Sequence, residues 1–472
     1  MSGLFGSLSQ SVRALNAQSR ALETAGNNIA NVNNTSYARQ RVVFGDRGTV
    51  LTPQGAQSLG IEAKAIQQLR DALLDKQVLR EIGLTASISA EDSAFAKAQA
   101  ALGESIDRAA GADSTSGASG GLTAAITEFF SAFQAFAASP TDLGERQALL
   151  QRANILAESL NLADSRLAQV QDDLDAAIEA DVSEVNDLLA SVAELNSQIS
   201  RFEINAPGSA VDLRDQRQAV LEKLAGKVAI ETRNSTTAPG QIEVFARDSA
   251  GAEVSLVASA STTPATVAFS GTGLLADGAA ITLTGGAVKG ALTARDGAIQ
   301  TLRDSLDAFA GQLVTSVNQA YNPTGATGNF FVAGGTTAGT LAVEGSITAS
   351  SLKASDSGAA ADNTIAAAVA ALANRKFSTT GTPADLIDGT FSQFYSGVVS
   401  DFGQAVSSAT TRLESQENIE KLVRQQRDAV SGVSLDEEMT DLMKFQRAFQ
   451  ASSRVISVID ELLDTVVNRL GA

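Results

Sequence analysis

Two carboxylates and two arginines, close together in the sequence, are the strongest candidates for catalytic residues in this chain. They belong to the run Asp212-Leu213-Arg214-Asp215-Gln216-Arg217. Paired carboxylates can divide the general acid and general base roles between them. The same spacing is also common on the solvated face of a helix, where residues three and four apart form ion pairs. We therefore predict a solvated ion-pair face on a helix over Val211 to Leu224, and not a catalytic centre.

The amino-acid composition excludes most other kinds of catalytic or metal-binding site. The 472 residues include no His and no Cys. The usual ligands of zinc, copper and iron are therefore missing, together with the commonest general base and the thiol nucleophile. No Gly-rich stretch of the middle region has the strand, loop and helix context or the Lys of a phosphate-binding loop. The sequence predicts no enzyme activity, no metal site and no cofactor.

The charge of the chain limits its partners. The formal net charge is -18 and the isoelectric point is about 4.5. Nucleic acid and anionic membrane surfaces both attract basic faces, so we expect neither as a partner. No apolar run reaches the roughly 18 residues that a membrane span needs. The first thirty residues carry Asn, Gln and Ser throughout and lack the apolar block of a secretory signal peptide.

Apolar residues recur every seven positions at both ends of the chain, which is the pattern of a coiled-coil helix. The C-terminal seam consists of Leu435, Leu442, Phe449, Ile456, Leu463 and Leu470, with a second line at Phe445, Ile459 and Val466. The N-terminal seam consists of Leu8, Leu15, Leu22 and Ile29, with Phe5 and Val12 beside it. Neither helix can bury its seam alone, so we predict that the two pair. Packing within one soluble domain and packing against other copies both remain open.

Local signals predict where these helices begin and end. Ser434 and Glu437 have the spacing of a capping box at the start of the last helix, and Gly432 can supply a left-handed turn before it. Five Asn between positions 27 and 34 disfavour helix. We expect the first helix to end near Asn31 to Asn34, with an Asn in the left-handed cap, and an extended segment over 39–44.

The interior of the chain alternates between helical and strand patterns. Helical spacing covers 61–110, the aromatic stripe from Phe129 to Phe136, 145–203, 291–321 and 391–430, and we assign the aromatic stripe to the core. From Val228 the period changes to two, with glycines between short alternating runs, as in an antiparallel β-domain. The predicted fold is mainly α with a β-rich middle. Its predicted parts are paired terminal helices (1–45 and 431–472), a helical inner domain (46–227, 291–324 and 391–430), a β-rich outer domain (228–290) and a Gly/Ala-rich mixed excursion (325–390).

Three segments resemble the axial proteins of bacterial flagella. The first is Asn27-Asn28-Ile29-Ala30-Asn31-Val32-Asn33 with Tyr37 and Arg39-Gln40, which is similar to the N-terminal motif of rod, hook and hook-associated proteins. The second is Gly432-Val433-Ser434-Leu435-Asp436-Glu437-Glu438 with Phe445-Gln446 and Phe449-Gln450-Ala451-Ser452. The third is Phe129-Phe130-Ser131-Ala132-Phe133-Gln134, followed by Glu145-Arg146-Gln147. The last two resemble hook-associated proteins that join hook to filament.

The resemblance implies a structural protein of the flagellum that polymerises through its terminal helices. Its implied partners are copies of itself, the hook protein, a second hook-associated protein on the flagellin side, and an export chaperone. It implies an extracellular location after export through the flagellar type III channel, without a cleaved signal peptide. The expected subunit-interface residues are Phe5, Leu8, Val12, Leu15, Leu22, Asn27, Asn28, Ile29, Asn31, Leu435, Leu442, Phe445, Phe449, Ile456, Ile459, Leu463 and Val466.

Three alternatives to this interpretation remain at the level of sequence. The chain could be another flagellar axial protein, such as the hook-associated protein that adjoins flagellin. It could be a secreted hydrolase with catalytic carboxylates on the β-domain. It could also be a coiled-coil scaffold unrelated to motility.

Overall fold

The structure is a computed structural model that describes residues 2–52, 55–103, 121–325, 328–357, 359 and 362–465. Within these residues the chain forms ten α-helices. In chain order they are α1 (Ser2–Ala30), α2 (Ala72–Leu102), α3 (Leu122–Ala138), α4 (Leu143–Phe202), α5 (Val211–Lys227), α6 (Ala287–Ala294), α7 (Gln300–Tyr321), α8 (Thr364–Ala371), α9 (Phe391–Ser431) and α10 (Leu435–Asp464). A π-helical turn at Arg295–Ile299 joins α6 to α7, with non-helical backbone angles at Gly297.

The described strands are short and pair only antiparallel. They are β1 (Gln40–Asp46), β2 (Thr49–Thr52), β3 (Gly55–Ser58), β4 (Ile61–Gln68), β5 (Glu231–Asn234), β6 (Ile242–Arg247), β7 (Glu253–Val257), β8 (Val267–Phe269), β9 (Leu274–Ala276) and β10 (Ala279–Ile281). They form two two-stranded sheets, β1-β4 and β2-β3, and two three-stranded sheets, β5-β6-β7 and β10-β9-β8. The prediction of a mainly α chain with a β-rich middle is confirmed.

Two compact units divide the chain. The first contains Met1–Ala86, Asp181–Gly286 and Gln416–Ala472, and the second contains Ser87–Ala180 and Ala287–Ser415. Both terminal helices and all the described strands belong to the first unit. The predicted four-part division of the chain is finer than this and stays a prediction.

Most helices lie where the apolar spacing predicts them, and one prediction is wrong. The sequence pattern suggests helix from residue 61, but Ile61–Gln68 forms strand β4, and the helix begins only at Ala72. Val42 pairs with Ile66 across the β1-β4 ladder. Because β1 supplies backbone partners along this whole segment, the pairing overrides the helical spacing of Ile66, Leu69, Leu73 and Leu74.

The second unit has an aromatic core, as the stripe on α3 predicts. Phe129 and Phe133 are fully buried on α3 and contact Phe330 with ring centroids 6.1 and 5.2 Å apart. Phe391, the first residue of α9, stacks on Phe130 at 5.5 Å. Edge and tilted contacts of this kind stabilise each pair beyond the area that it buries. The assignment of this stripe to the core is confirmed.

Candidate functional site at the paired terminal helices

The terminal helices pair within one chain, and α10 uses its predicted seam for this contact. Ile459 is buried, and the other described members of the seam after the first turn are half-buried: Leu442, Phe445, Phe449, Ile456 and Leu463. Phe445 lies 6.3 Å from the ring of Phe44 on β1. Leu435 is exposed, and Val466 lies outside the described residues. The seam of α10 is therefore partly covered by its own chain.

Helix α1 contributes a different face from the one its leucines mark. The buried residues of α1 are small or polar: Ala17, Ala21, Thr24, Ala25 and Asn28. At about 100° per residue these positions lie on one side of the helix, more than a quarter turn away from the predicted seam. Phe5, Val12 and Asn27 are exposed, and Leu8, Leu15, Leu22, Ile29 and Asn31 are half-buried. Small side chains let α1 approach its neighbours closely, and the leucine seam remains partly open.

Helix α10 also carries two uncovered apolar patches. The first, which we call the proximal patch, consists of Leu435, Met439 and Met443; the second, the distal patch, consists of Val455, Val458 and Leu462, and all six residues are exposed. By the helical repeat, the two patches lie on opposite flanks of the covered seam. Isolated exposed apolar residues are ordinary, but aligned groups on one helix mark interaction surfaces.

A buried asparagine ties the two helices to the first strand. Asn28 donates from Nδ2 to the backbone oxygen of Gln40 at 2.8 Å and to Glu438 Oε2 at 2.9 Å. Its Oδ1 accepts from the hydroxyl of Tyr37 at 2.8 Å and from the backbone N–H of Gln40 at 3.0 Å. All four hydrogen-bonding positions of the amide are thus filled. A side chain of another shape could not join α1, β1 and α10 in this way.

Arg39 completes this group of residues, which we call the terminal knot: Asn28, Tyr37, Arg39, Gln40 and Glu438. Its Nε donates to Glu438 at 2.7 Å and its Nη1 donates to Glu437 at 2.6 Å. The predicted capping box is therefore wrong. Ser434 is the N-cap but makes no side-chain capping hydrogen bond. Glu437 instead pairs with a guanidinium that the N-terminal segment brings alongside, and an ion pair competes well with a neutral backbone N–H.

Asp215 and Arg217 of the acidic and basic run on α5 are buried, so the prediction of a solvated ion-pair face there is wrong. Asp215 accepts from Arg70 at 2.6 Å and from the backbone N–H of Ala38 at 3.2 Å. Arg70 also pairs with Asp75 at 3.1 Å. Burial raises the pKa of both carboxyl groups, although Arg70 opposes the shift. Asp215, one of the two candidate carboxylates of the sequence, and Asp75 instead hold β4, α2 and α5 against the segment after α1.

A second buried arginine fixes the turn that follows α1. Arg427, near the end of α9, donates to the backbone oxygen of Thr35 at 2.8 Å and to Glu222 on α5 at 2.6 Å.

Two predictions of left-handed backbone are wrong. Gly432, five residues after Arg427, does not adopt the predicted left-handed conformation. A Cβ at this position would instead overlap the carbonyl oxygen of Asp428, so glycine is needed for space. The predicted left-handed Asn after α1 is also wrong, because the described non-glycine residues with positive φ are Ala260 and Asp277.

Replacing Tyr37 with Phe tests how much the terminal knot depends on its hydroxyl. We expect Tyr37→Phe to lower the free energy of unfolding by about 1 kcal/mol at neutral pH, since one buried hydrogen bond is lost and Asn28 keeps three partners. Burial, together with Asp215, Asp212 and Glu438, raises the pKa of Tyr37 above its ordinary value of 10.0. Its stabilising effect is therefore complete below pH 10 and declines as the pH rises above it, when the unfolded chain ionises first.

Denaturation at several pH values measures this effect as a difference between the two proteins. The stability difference between wild type and Tyr37→Phe should shrink above pH 10, while the ionisation of lysines affects both chains equally. A difference that is constant with pH would show that the hydroxyl does not titrate in the way its surroundings imply.

Sequence reasoning missed the charged members of this site. Arg39, Glu438 and Arg427 were part of a motif or of a helical pattern. Nothing in the spacing shows that Arg39 and Glu438, which are 399 positions apart, would meet.

Among the described residues, no cluster of three acidic side chains could hold a metal ion. No described helix has the length and hydropathy to cross a membrane.

Comparisons with known proteins match the segments that meet at this site. The sequence model for the flagellar hook-associated protein FlgK helical domain matches residues 112–331. The model for the C-terminal region of the flagellar basal body rod FlgEFG proteins matches 424–470, and the model for flagella basal body rod protein matches 8–37. The last two matches contain most of α10 and α1.

Curated relatives extend the similarity over the whole chain. Flagellar hook-associated protein 1 of Bacillus subtilis (strain 168) is 28% identical over 538 aligned residues, which cover 100% of this chain and 99% of the relative. The Escherichia coli (strain K12) protein of the same name is 24% identical, with 98% and 99% coverage. A solved structure of the flagellar hook junction protein FlgK from Burkholderia pseudomallei aligns with a TM-score of 0.45 and 22% identity, over 54% of this chain and 46% of that one.

Proposed function

We propose how this chain assembles from one premise: it belongs to the flagellar hook-associated protein 1 family and is a structural component of the flagellar axis at the junction of hook and filament. The proposal is that copies of the chain form a ring by packing the open leucine seam of α1 and the two patches of α10 against neighbouring copies. In this proposal, some of the expected interface residues on the terminal helices pack within the chain, and the others pack between neighbouring chains.

The single observation that supports this proposal is the distribution of apolar surface on the terminal helices. One face of α10 is partly covered by its own chain, with Ile459 buried, while the proximal and distal patches remain exposed on its two flanks. A subunit in an axial assembly needs two different surfaces, one for each neighbour, because a head-to-tail interface repeats around the axis. Each fully buried Val, Leu or Met side chain would add roughly 1.5–3 kcal/mol. Six such residues provide a substantial driving force for polymerisation.

The neighbours along the axis follow from the same proposal. Assembly with other flagellar axial components is what membership of this family implies. We place the hook protein on one side of the ring and a second hook-associated protein, toward flagellin, on the other. The terminal helices are the elements that match the rod-protein models, so they are the natural surfaces for contacts shared among axial proteins.

We also propose that the chain reaches this place through the flagellar type III channel, helped by an export chaperone and without cleavage of a signal peptide. Its role is structural and requires no catalytic step. The support is physical: Asp215 of α5 is engaged with Arg70 and the backbone of Ala38, and Asp212 accepts a hydrogen bond from Gln40, so both candidate carboxylates hold the fold together.

Cells that lack this protein test the proposed function. We expect electron microscopy to show completed hooks without filaments, with flagellin released into the medium, and we expect loss of swimming. Expression of the wild-type chain from a plasmid should restore filaments. Filaments of normal number and attachment in the deletion strain would contradict the proposal. Cells without hooks would place the chain earlier on the axis.

A further inference from the structure

A cavity of about 400 Å³ lies in the first unit. The end of β4, the start of α2, helix α5 and the hairpin of β5 and β6 form its walls. Five basic residues line it, namely Arg70, Lys76, Arg214, Arg217 and Arg233, whereas Asp75 is the one acidic residue among the described lining. Such a concentration of positive charge is unusual for a chain whose net charge is -18.

Three of the arginines already have carboxylate partners. Arg70 pairs with Asp75 and Asp215, as described above. Arg214 binds both oxygens of Glu203, at 2.8 and 2.7 Å. Arg233 pairs with Glu243 at 2.5 Å and with Glu253 at 2.8 Å. These pairs neutralise their arginines, so they leave the cavity with no large excess of charge from these three residues.

Arg217 is the exception. Its side chain is deeply buried, with 6% of the residue exposed. Nη1 donates to Asn196 Oδ1 and to the backbone oxygen of Gly240, both at 2.8 Å, and these acceptors are neutral. No carboxylate among the described residues lies within ion-pair distance of it, and Nε and Nη2 have no protein acceptor in the part of the chain that the structure describes. Burial, with Arg214 nearby, lowers the pKa of Arg217 to about 9.

A buried cation without an anion is costly, and proteins almost always pair such a charge. Arginine keeps its proton at neutral pH even here. The carboxylate of Glu203 acts on Arg217 from beyond ion-pair distance but pairs with Arg214, so an anion in the cavity would supply the close partner that Arg217 lacks. The guanidinium fork formed by Nε and Nη2 has the geometry that binds two oxygens of a phosphate or sulfate side by side. Lys76, Thr232 and Asn234 line the same cavity and can add further donors.

We propose that this cavity binds a small free oxyanion of the phosphate or sulfate class, held by the Nε and Nη2 edge of Arg217 and assisted by Lys76. Bound there, the anion would connect α5 to the hairpin of β5 and β6, because Arg217 already reaches the backbone at Gly240 just before β6. The site is distinct from the terminal helices and would stabilise the folded unit and leave assembly surfaces free.

Inorganic phosphate is the probe for the test, applied to the full chain. Equilibrium dialysis should show saturable binding of one phosphate per chain, displaced by sulfate but not by chloride. In 10 mM phosphate the Tm should rise by about 3 °C relative to chloride at equal ionic strength. Arg217→Gln should weaken binding at least tenfold, and Arg217→Lys, which keeps the charge but loses the fork, should weaken it about tenfold.

Arg152→Gln is the matched control, since Arg152 pairs with Glu128 at 2.7 Å on the surface of the second unit. This variant should bind phosphate as the wild type does. Phosphate also stabilises proteins by general exclusion from their surface, and that part of the Tm shift should be common to every variant. If wild type shows no saturable binding, or if folded Arg217→Lys and Arg217→Gln bind as tightly as wild type, the proposal is overturned.

Discussion

In cells whose only copy of this chain carries Val458→Asp, we expect the protein to be exported and to fold normally, but the filaments to be missing. Val458 belongs to the distal patch of α10 and is 55% exposed, so a carboxylate there stays in water in the single chain. In the proposed ring the same position is covered by a neighbour. Burying an unpaired carboxylate costs several kcal/mol at every interface of the ring. We expect complete loss of swimming, measured on soft agar, with hooks lacking filaments in electron micrographs.

Two neighbouring substitutions show which step fails. Ile459→Asp puts the same charge on the covered seam, where the side chain is 6% exposed, and should unfold the terminal pair in the single chain. Ser457→Asp puts the charge at an exposed position outside both patches and should leave motility intact. Circular dichroism should find Val458→Asp as stable as wild type, within about 0.5 kcal/mol. Normal filaments in the Val458→Asp strain would show that the distal patch is not an interface.

The second large effect is expected at the terminal knot. Glu438→Ala should lower the free energy of unfolding of the first unit by about 3 kcal/mol, because it removes the buried carboxylate that pairs with the guanidinium of Arg39 and one of the four hydrogen bonds of Asn28. The side chain of Glu438 is 3% exposed, so water cannot replace the lost carboxylate. Denaturant unfolding followed by circular dichroism measures the change.

Glu437 provides the control for this experiment within the same ion-pair group. It binds the same arginine at 2.6 Å, but its side chain is 62% exposed. Glu437→Ala should therefore cost less than about 1 kcal/mol, as exposed ion pairs do. Equal losses in the two variants would mean that burial does not set the strength of this contact, and the role assigned to the terminal knot would be wrong.

The first prediction concerns assembly of the ring, and the second concerns folding of the single chain, which must come before it. The terminal knot holds α1, β1 and α10 in a defined arrangement, and this arrangement decides which apolar residues of α10 are covered. A chain with a weakened knot should therefore assemble poorly, because α10 is no longer held against α1 and β1 and its seam is uncovered together with the patches. A chain with an altered patch should keep the knot and fail only on meeting a neighbour.

Much of this architecture could be predicted from the sequence because it depends on local periodicity. The three- and four-residue apolar steps that end at Phe202 place α4, and the alternation at Ile242 and Val244 places β6. The aromatic stripe on α3 identifies the core of the second unit in the same way. The absence of His and Cys also excludes the usual ligands of zinc, copper and iron. The terminal motifs by themselves resemble those of flagellar axial proteins.

The sequence by itself determined where most of the helices lie and that both ends carry apolar seams, because each of these depends on residues a few positions apart. The tertiary structure alone decided which faces are buried: α1 packs through Ala17, Ala21 and Ala25, and its seam leucines are only half-buried, as are all the described seam residues of α10 after its first turn except the buried Ile459. It also decided the fate of the charges, since Asp215 and Glu438 become buried only when distant arginines arrive. Burial and ion pairing depend on neighbours that are far away in the chain, and no local spacing records them.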